Sequence, residues 1–289
     1  MPELPEVECV RLGIESVKGA QICQVEWNYP ALWDKATVDP HAIECQKLVE
    51  THRKGKYLIL EFENHLLLLH LGMSGVFLLQ ESQVEPRPHT HLILKLKGKG
   101  HGGDSASLDG WELRFSDPRK FGHLHLIKKG GVSPQYSVGD EFERWSKLGP
   151  DALTRSFHGK YFHAKCQKSI RDIKIFILDQ KVVAGVGNIY ASEALFRAKI
   201  DPRRPANSLS MEECTNLAKA AKWIMKKSVK KRGTTFSDYR LTNGKGGSFQ
   251  SFLKVFQKEN ETCPGCKSNQ ILKLEQDKRS TFYCSSCQN

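Results

Sequence analysis

CPGCKSNQILKLEQDKRSTFYCSSC, residues 263–287, holds four of the nine cysteines of this 289-residue chain in two C-x2-C pairs, with seventeen residues between Cys266 and Cys284. Two such knuckles at that separation place Cys263, Cys266, Cys284 and Cys287 tetrahedrally around one zinc ion, with ILKLEQDKRSTFY as a β-hairpin between them. A closed four-sulfur site leaves no coordination position for a substrate, so the ion is structural. It holds a hairpin too small to fold alone, and it presents Arg279 outward near the turn. The remaining cysteines, Cys9, Cys23, Cys45, Cys166 and Cys214, are scattered and odd in number. That fits thiols in a reducing compartment better than a disulfide framework.

Upstream of this finger the chain reads as helices. Segments near 160–180, 188–198 and 210–231 carry helical apolar spacing. In the last, Leu217, Ala221, Ile224 and Met225 form a stripe, while Lys219, Lys222, Lys226 and Lys230 follow at three- and four-residue steps on another face. In VVAGVGNIYASEALF, residues 182–196, Gly185 and Gly187 permit a tight turn and Asn188 is placed as N-cap of a helix over 189–198. A helix N-terminus behind glycines is a ready phosphate site, because free amides and the macrodipole face the ligand.

Charge supports an anionic partner. The net charge is +12, but residues 1–150 carry 18 Lys/Arg and 20 Asp/Glu, against 26 and 12 over 151–289. A basic excess confined to one half points to nucleic acid, since each phosphate contact releases counterions. No apolar run approaches the ~18 residues of a membrane span, and no secretory signal opens the chain. A monomer kept in the cytoplasm, at the nucleoid, is the expectation.

Before residue 130 the pattern is β: QICQVEW, YLILEF, HLLLLHLG, HLILKLK, WELRFS and HLHLIKK are separated by turn residues. They predict an antiparallel sandwich or flattened barrel. GKGHGGDSASLDG, Gly98 to Gly110, reads as a mobile surface loop between two of them. The whole is an α+β multidomain chain with a β domain at 1–134, a helical domain at 135–255 and the finger at 256–289.

The N-terminus, MPELPEVE, begins a helix flanking the sandwich. Val7, Val10, Ile14 and Val17 give its apolar face, Pro5 suits its first turn and Gly19 ends it. Glu6 and Glu8 are accounted for by the positive end of the macrodipole. Pro2 and Glu3 precede the helix, complete no capping box and are left without a structural role.

Six stretches, in order, carry a resemblance: MPELPEVE, HLGMSG (70–75), SDPRKFG (116–122), GVGNIYASE (185–193), RGTTFSDY (232–239) and KRSTFYCSSCQ (278–288). Together they span nearly the whole chain, which resembles the formamidopyrimidine-DNA glycosylases, the Fpg/MutM group of the Fpg/Nei family. The resemblance implies a helix-two-turn-helix arrangement in the helical domain. It implies a bifunctional glycosylase and abasic-site lyase acting on double-stranded DNA with oxidised purines, 8-oxoguanine and formamidopyrimidines, or abasic sites.

It also implies roles. With Met1 removed, the amine of Pro2 is the nucleophile at the sugar C1′, and Glu3 is the acid that opens the sugar ring. An α-amine with a pKa of ~7.7–8 suits that task better than a lysine at ~10.4, and the helix dipole lowers it further. Lys56 meets the phosphate beside the lesion and donates a proton in β-elimination, with Lys54 as its alternative in alignment. Met73, Arg119 and Phe121 fill the gap left by an extruded base. His89, or His91, contacts DNA, as does Asn188 at the helix turn, and Arg279 grips phosphates and is linked to δ-elimination. Ile170 stands where family members often carry lysine, with Lys168 or Arg171 as replacements.

The segment GTTFSDYRLTNGKGG resembles the loop that covers a flipped purine. Two other readings stand beside this one: an endonuclease VIII-like enzyme for oxidised pyrimidines, and a non-catalytic DNA clamp for which Pro2 and Glu3 are dispensable.

Overall fold

Short, largely apolar segments bounded by turn residues build two four-stranded antiparallel sheets in the computed structural model, which describes residues 1–35, 37–101, 107–130, 144–234 and 247–289. The strands are β1 (Gln21–Trp27), β2 (Leu48–Lys54), β3 (Tyr57–Phe62), β4 (His65–His70), β5 (Val76–Glu81), β6 (Thr90–Lys97), β7 (Trp111–Ser116) and β8 (His123–Lys128). One sheet runs β1-β6-β7-β5, the other β2-β3-β4-β8. Their inner faces meet in a core of Ile22, Leu60, Leu67, Leu94, Phe115 and Leu126, all fully or almost fully buried. The expected sandwich is therefore present. Two of its strands, β2 and β5, were absent from the sequence reading. LVETHRK and VFLLQE are too polar in half their length to stand out, and pairing with β3 and β7 secures them.

Helix α1 (Leu4–Gly13) lies on this core through Val7, Val10 and, at its cap, Ile14. Gly19, at φ +87, turns the chain after it into β1. The Gly98–Gly110 connection is fastened at its base: the Gly98 amide donates to the Asp109 carboxylate at 2.7 Å, Lys99 bridges Ser107, and Leu108 is buried. The expectation of a wholly mobile loop is corrected to that extent, and residues 102–106 lie outside the described ones.

By compactness the chain divides into Met1–Lys147 with Arg232–Ser248, and Leu148–Lys231 with Phe249–Asn289. The second unit holds α2 (Gly159–Cys166), α3 (Ile173–Leu178), α4 (Asn188–Ala198) and α5 (Met211–Lys230), with the hairpin β9 (Leu272–Gln276) and β10 (Arg279–Tyr283). The single helical segment expected over 160–180 is two helices, parted at Lys168–Asp172, where Ile170 is 81% exposed. Ser210 and Glu213 form a reciprocal capping box that starts α5. The stripe Leu217, Ala221, Ile224 and Met225 is buried, while Lys219, Lys226 and Lys230 are exposed. Among the described residues no helix is long and apolar enough to cross a membrane.

One buried charge ties down the sandwich edge. Arg114 on β7, 2% exposed, donates to Glu112 at 2.7 Å and to the carbonyls of Val84, Ser82 and Glu81. Replacing it by alanine strands the buried Glu112 carboxylate and three carbonyls. Arg114→Ala is expected to cost about 3–5 kcal/mol of stability. A fall in the urea midpoint measures that loss, with Glu112→Gln/Arg114→Met expected to recover part of it.

Candidate functional site

The N-terminal residues that had no structural role have one. Glu3 is the N-cap of α1 and makes a reciprocal capping box with Glu6, whose carboxylate accepts the Glu3 amide at 2.9 Å. The expectation that Pro2 and Glu3 complete no box is thus corrected: a glutamate takes the cap position that Ser or Thr usually fills, so the ordinary sequence signature is missing. Glu6 does more than oppose the dipole. It is 2% exposed, and its other oxygen accepts the amide of Thr234 at 2.8 Å. Glu8 binds Arg53 of β2 at 2.9 Å as well as Arg11 at 2.8 Å, fastening α1 to that strand. Pro2 and Glu3 are buried, while Met1 is 53% exposed above them.

Arg53 leads directly into the turn that holds Lys56. Lys54 pairs with Tyr57, and Gly55 takes φ +60 at the first central position, as a type II′ hairpin turn requires. Lys56 is 7% exposed, whereas Lys54 is half-buried, its ammonium 5.0 Å from the Trp145 ring centre.

Across the sheet Tyr57 pairs with His70 and His70 with His123. His70 was missed in the sequence reading; its position at the head of HLGMSG was the available signal. Its Nδ1 accepts the Gly72 amide at 3.1 Å, and its ring packs on Tyr57 at 4.9 Å. Burial, then the charges of Lys56, His123 and Arg144, push its pKa down to about 3. A neutral imidazole therefore sits among cations at neutral pH.

Two loops are locked together behind β4 and β7. The carboxylate of Asp117, fully buried, accepts the Ser74 hydroxyl at 2.5 Å and the Gly122 amide at 2.7 Å. The Ser74 oxygen in turn accepts the Arg119 amide at 3.2 Å. Gly72 has φ +61, and a Cβ there would lie 2.4 Å from the Phe121 carbonyl carbon, so only glycine allows this approach. Clamped in this way, the loops expose Met73 (39%) and Phe121 (49%), with the Arg119 guanidinium 5.1 Å from the Phe121 ring centre. Apolar side chains held out on a rigid base are what a wedge into stacked bases needs.

Nearby in the same unit His89, at φ +62, is exposed, while His91 is 7% exposed and contacts Asn28 and the Asp117 carbonyl. Of the two, His89 is the one accessible to a ligand.

In the second unit the glycine turn is as expected but its cap is not. Gly187 is the N-cap of α4, and Asn188 is its first helical residue. Freed from capping, the Asn188 side-chain carboxamide donates to the Ser280 carbonyl at 2.8 Å and so ties α4 to the finger hairpin beside Arg279. Arg279 itself is exposed, following a turn in which Asp277 and Lys278 both have positive φ, the requirement of a type I′ hairpin. Glu193, five residues along α4, was also missed. Its buried carboxylate accepts the successive amides of Lys254, Val255 and Phe256, each at 2.9 Å, and anchors the chain entering the finger.

The four finger cysteines have their sulfurs within 4.8 Å of one another. The Cys263–Cys287 and Cys266–Cys284 separations are both 3.8 Å. A disulfide needs ~2.05 Å, whereas a tetrahedron with metal–sulfur bonds of ~2.3 Å has edges of about 3.8 Å. The donor set therefore fits one tetrahedral thiolate-bound metal. Of the other cysteines, Cys9, Cys166 and Cys214 are buried, and Cys23 and Cys45 are exposed. Most of the GTTFSDYRLTNGKGG segment, residues 235–246, lies outside the described ones.

For His70 the unfolded pKa of ~6.5 exceeds the folded value, so only the unfolded chain takes up its proton as pH falls from there toward 3. Its contribution to stability is complete above ~6.5 and is lost progressively below it. Urea midpoints between pH 7 and 4 are expected to fall more steeply for the wild type than for His70→Gln, and the His70 ring proton resonances to stay unshifted over that range.

Residues 1–124 match the family model of the formamidopyrimidine-DNA glycosylase N-terminal domain, and residues 148–239 that of the formamidopyrimidine-DNA glycosylase H2TH domain. A curated formamidopyrimidine-DNA glycosylase from Escherichia coli strain 536 is 36% identical over 289 residues, covering 100% of both chains. The crystal structure of MutM (Fpg) from Thermus thermophilus is similar at 35% identity, with a TM-score of 0.84 over 99% of this chain and 98% of that one. A Lactococcus lactis Fpg variant in complex with DNA containing Fapy-dG is 32% identical, with a TM-score of 0.85 and 99% of each chain covered.

Proposed function

We propose a reaction for this chain, which belongs to the formamidopyrimidine-DNA glycosylase family: it is a repair glycosylase that excises oxidised purines from duplex DNA through a covalent adduct on Pro2, then nicks the strand by β,δ-elimination. The observation that carries the reading is the anchoring of Glu3, directly after the buried Pro2. A buried carboxylate, Glu6, holds the Glu3 amide on one oxygen and the Thr234 amide on the other, and so fixes the N-terminus far more tightly than a helix start needs.

Removal of the exposed Met1 leaves Pro2 with a free secondary amine. Its lone pair attacks C1′ of the damaged nucleotide as the bond from C1′ to the base nitrogen breaks, and the base departs with that electron pair and a proton. Glu3 protonates the sugar ring oxygen, the ring opens, and nitrogen and C1′ form an iminium. The iminium draws electrons from C2′ once its proton is lost, which expels the 3′ phosphate; a second elimination expels the 5′ phosphate.

Lys56 serves as a proton donor in the first elimination and as a phosphate contact, supported by its burial in a turn tied to α1. Met73, Arg119 and Phe121 occupy the space of the extruded base. His89, Asn188 and Arg279 hold phosphates, Asn188 and Arg279 being adjacent through Ser280. In this division of labour residues 1–134 carry the chemistry, 135–255 the helical DNA grip and 256–289 the finger. Zinc is the metal proposed for the four thiolates, since it favours a closed tetrahedral sulfur site without redox chemistry. The enzyme acts as a monomer at the nucleoid.

A neighbouring Lactococcus lactis structure holds DNA containing an oxidised pyrimidine. That observation keeps pyrimidine lesions as a second substrate class for this site. Excision rates on matched duplexes with 8-oxoguanine, formamidopyrimidine or an oxidised pyrimidine are expected to rank the purine lesions first.

Borohydride trapping on a duplex with one abasic site is the decisive test. A covalent adduct is expected with the wild type and is expected to fall by a factor of at least about 10² in Pro2→Gly and Glu3→Gln. Adduct at wild-type level in both variants sinks the assignment of roles, and none with the wild type favours the non-catalytic clamp. Elemental analysis is expected to find one zinc per chain, with Cys266→Ser and chelation lowering both zinc content and duplex affinity.

A further inference from the structure

The C-terminal end of α4 lies against the base of the finger, and a hollow of about 340 Å³ opens there. A Cβ added to Gly265, in the first knuckle, would meet the Phe196 ring at 3.4 Å, which shows how closely the knuckle packs on the helix. Asn188 and the hairpin tip lie at the other end. Ten residues of helix, about 15 Å, separate Asn188 from Ala198, and β10 runs from Arg279 at the tip to Tyr283 at the base. The hollow is thus remote, within its own unit, from the residues proposed to hold phosphates.

Its walls are aromatic and its rim is cationic. Phe196, Trp223, Phe249 and Phe252 provide the apolar surface, and Trp223 is 46% exposed although it projects from a well-packed helix. The Arg197 guanidinium lies 3.7 Å from the Trp223 ring centre. The Lys227 ammonium stands between two rings, 4.9 Å from Trp223 and 4.7 Å from Phe252. Among the described residues Arg197, Lys199 and Lys227 form no ion pair. The one carboxylate in the lining, Glu193, is 4% exposed and its oxygens are occupied by three backbone amides. Across Trp223 a second hollow of about 520 Å³ is bordered by Arg197, Lys199, Asn216 and Lys219.

An apolar slot beside a shelf of unpaired cations is complementary to an apolar group flanked by carboxylates. A nucleobase fits the slot poorly, because its polar edge would be buried against phenyl and indole carbon without partners. We propose that this hollow docks an acidic peptide segment of a partner protein, which places one aromatic side chain against the apolar wall of Phe196, Trp223 and Phe252 and its flanking carboxylates on Arg197, Lys199 and Lys227. Ring stacking and desolvated cations supply affinity, and charge steers the encounter. The site is independent of the reaction assigned to Pro2.

Fluorescence polarisation with a labelled peptide of one phenylalanine flanked by aspartates tests this on the full, metal-loaded chain. Saturable binding is expected, weakened about tenfold or more by Trp223→Ala, by Lys227→Glu, and by alanine in place of the peptide's phenylalanine. Trp223→Phe and Lys227→Gln, which keep ring and bulk, are expected to lie between, and Arg279→Ala to bind as the wild type does. Retained metal and an unchanged melting temperature verify that each variant is folded. No saturable binding, equal binding of the alanine peptide, or indifference to both Trp223→Ala and Lys227→Glu overturns the proposal. So does displacement by a single-stranded oligonucleotide whose own binding requires Trp223, since the hollow would then be a nucleic-acid surface.

Discussion

A single buried carboxylate organises the N-terminal end of the sandwich. Glu6 accepts one amide from the start of its own helix and one from Thr234, more than two hundred residues later. Burying a carboxylate costs several kcal/mol unless its oxygens are satisfied, and here each has a backbone donor at under 3 Å. The arrangement works only if α1 begins at Leu4 and Gly233 turns the chain so that the Thr234 amide points inward; Gly233 has φ +80. Gly247 completes the stem: a Cβ on it would lie 2.2 Å from the Gly233 carbonyl oxygen. Gly233 and Gly247 are therefore held side by side, next to the Thr234 amide that binds Glu6 in the first turn of α1. Whatever the 235–246 segment contacts, its root shares one carboxylate with the first turn of α1.

The same economy of buried acids recurs. Asp117 clamps two loops, and Glu193 gathers three successive amides in the second unit. Each acid fixes backbone rather than contacting solvent, and each stands next to side chains that are exposed at some cost. Met73 and Phe121 gain nothing from the core, so their placement has to be secured by the loops beneath them. Rigid backbone under exposed apolar groups is the pattern of a surface built for a partner, not for stability.

Much of this was legible in the residues themselves. Four cysteines at fixed spacing dictate a tetrahedral site whatever surrounds them, and short apolar runs bounded by turn residues mark β3, β4 and β6 without help from tertiary structure. β2 and β5 were not legible, because half their residues are polar and their strand character comes from neighbours. The capping box escaped because glutamate is an uncommon cap whose identity as one depends on backbone geometry. Glu6, Glu8 and Glu193 looked like ordinary helix-surface acids. Their amide and guanidinium partners lie 228, 45 and about 60 positions away, and no local pattern reports such a distance. His70 escaped for a related reason: its neutrality is set first by burial and then by the charges of Lys56, His123 and Arg144, which three separate stretches of chain contribute.

The finger and α4 show how one metal site can serve two ends of a module. Asn188 fastens the hairpin tip to the helix N-terminus, and Gly265 seats the knuckles on Phe196 near its C-terminus. Pinned at both ends, hairpin and helix behave as one body on which the four thiolates hold the base. Loss of the metal would release the knuckle from Phe196 and remove the floor of the aromatic hollow. It would also free the turn that carries Arg279. The two consequences follow from different contacts, so a change at Asn188 disturbs the tip while leaving the sulfur tetrahedron and the hollow intact. A metal held by the four thiolates would thereby couple two surfaces that share no residue.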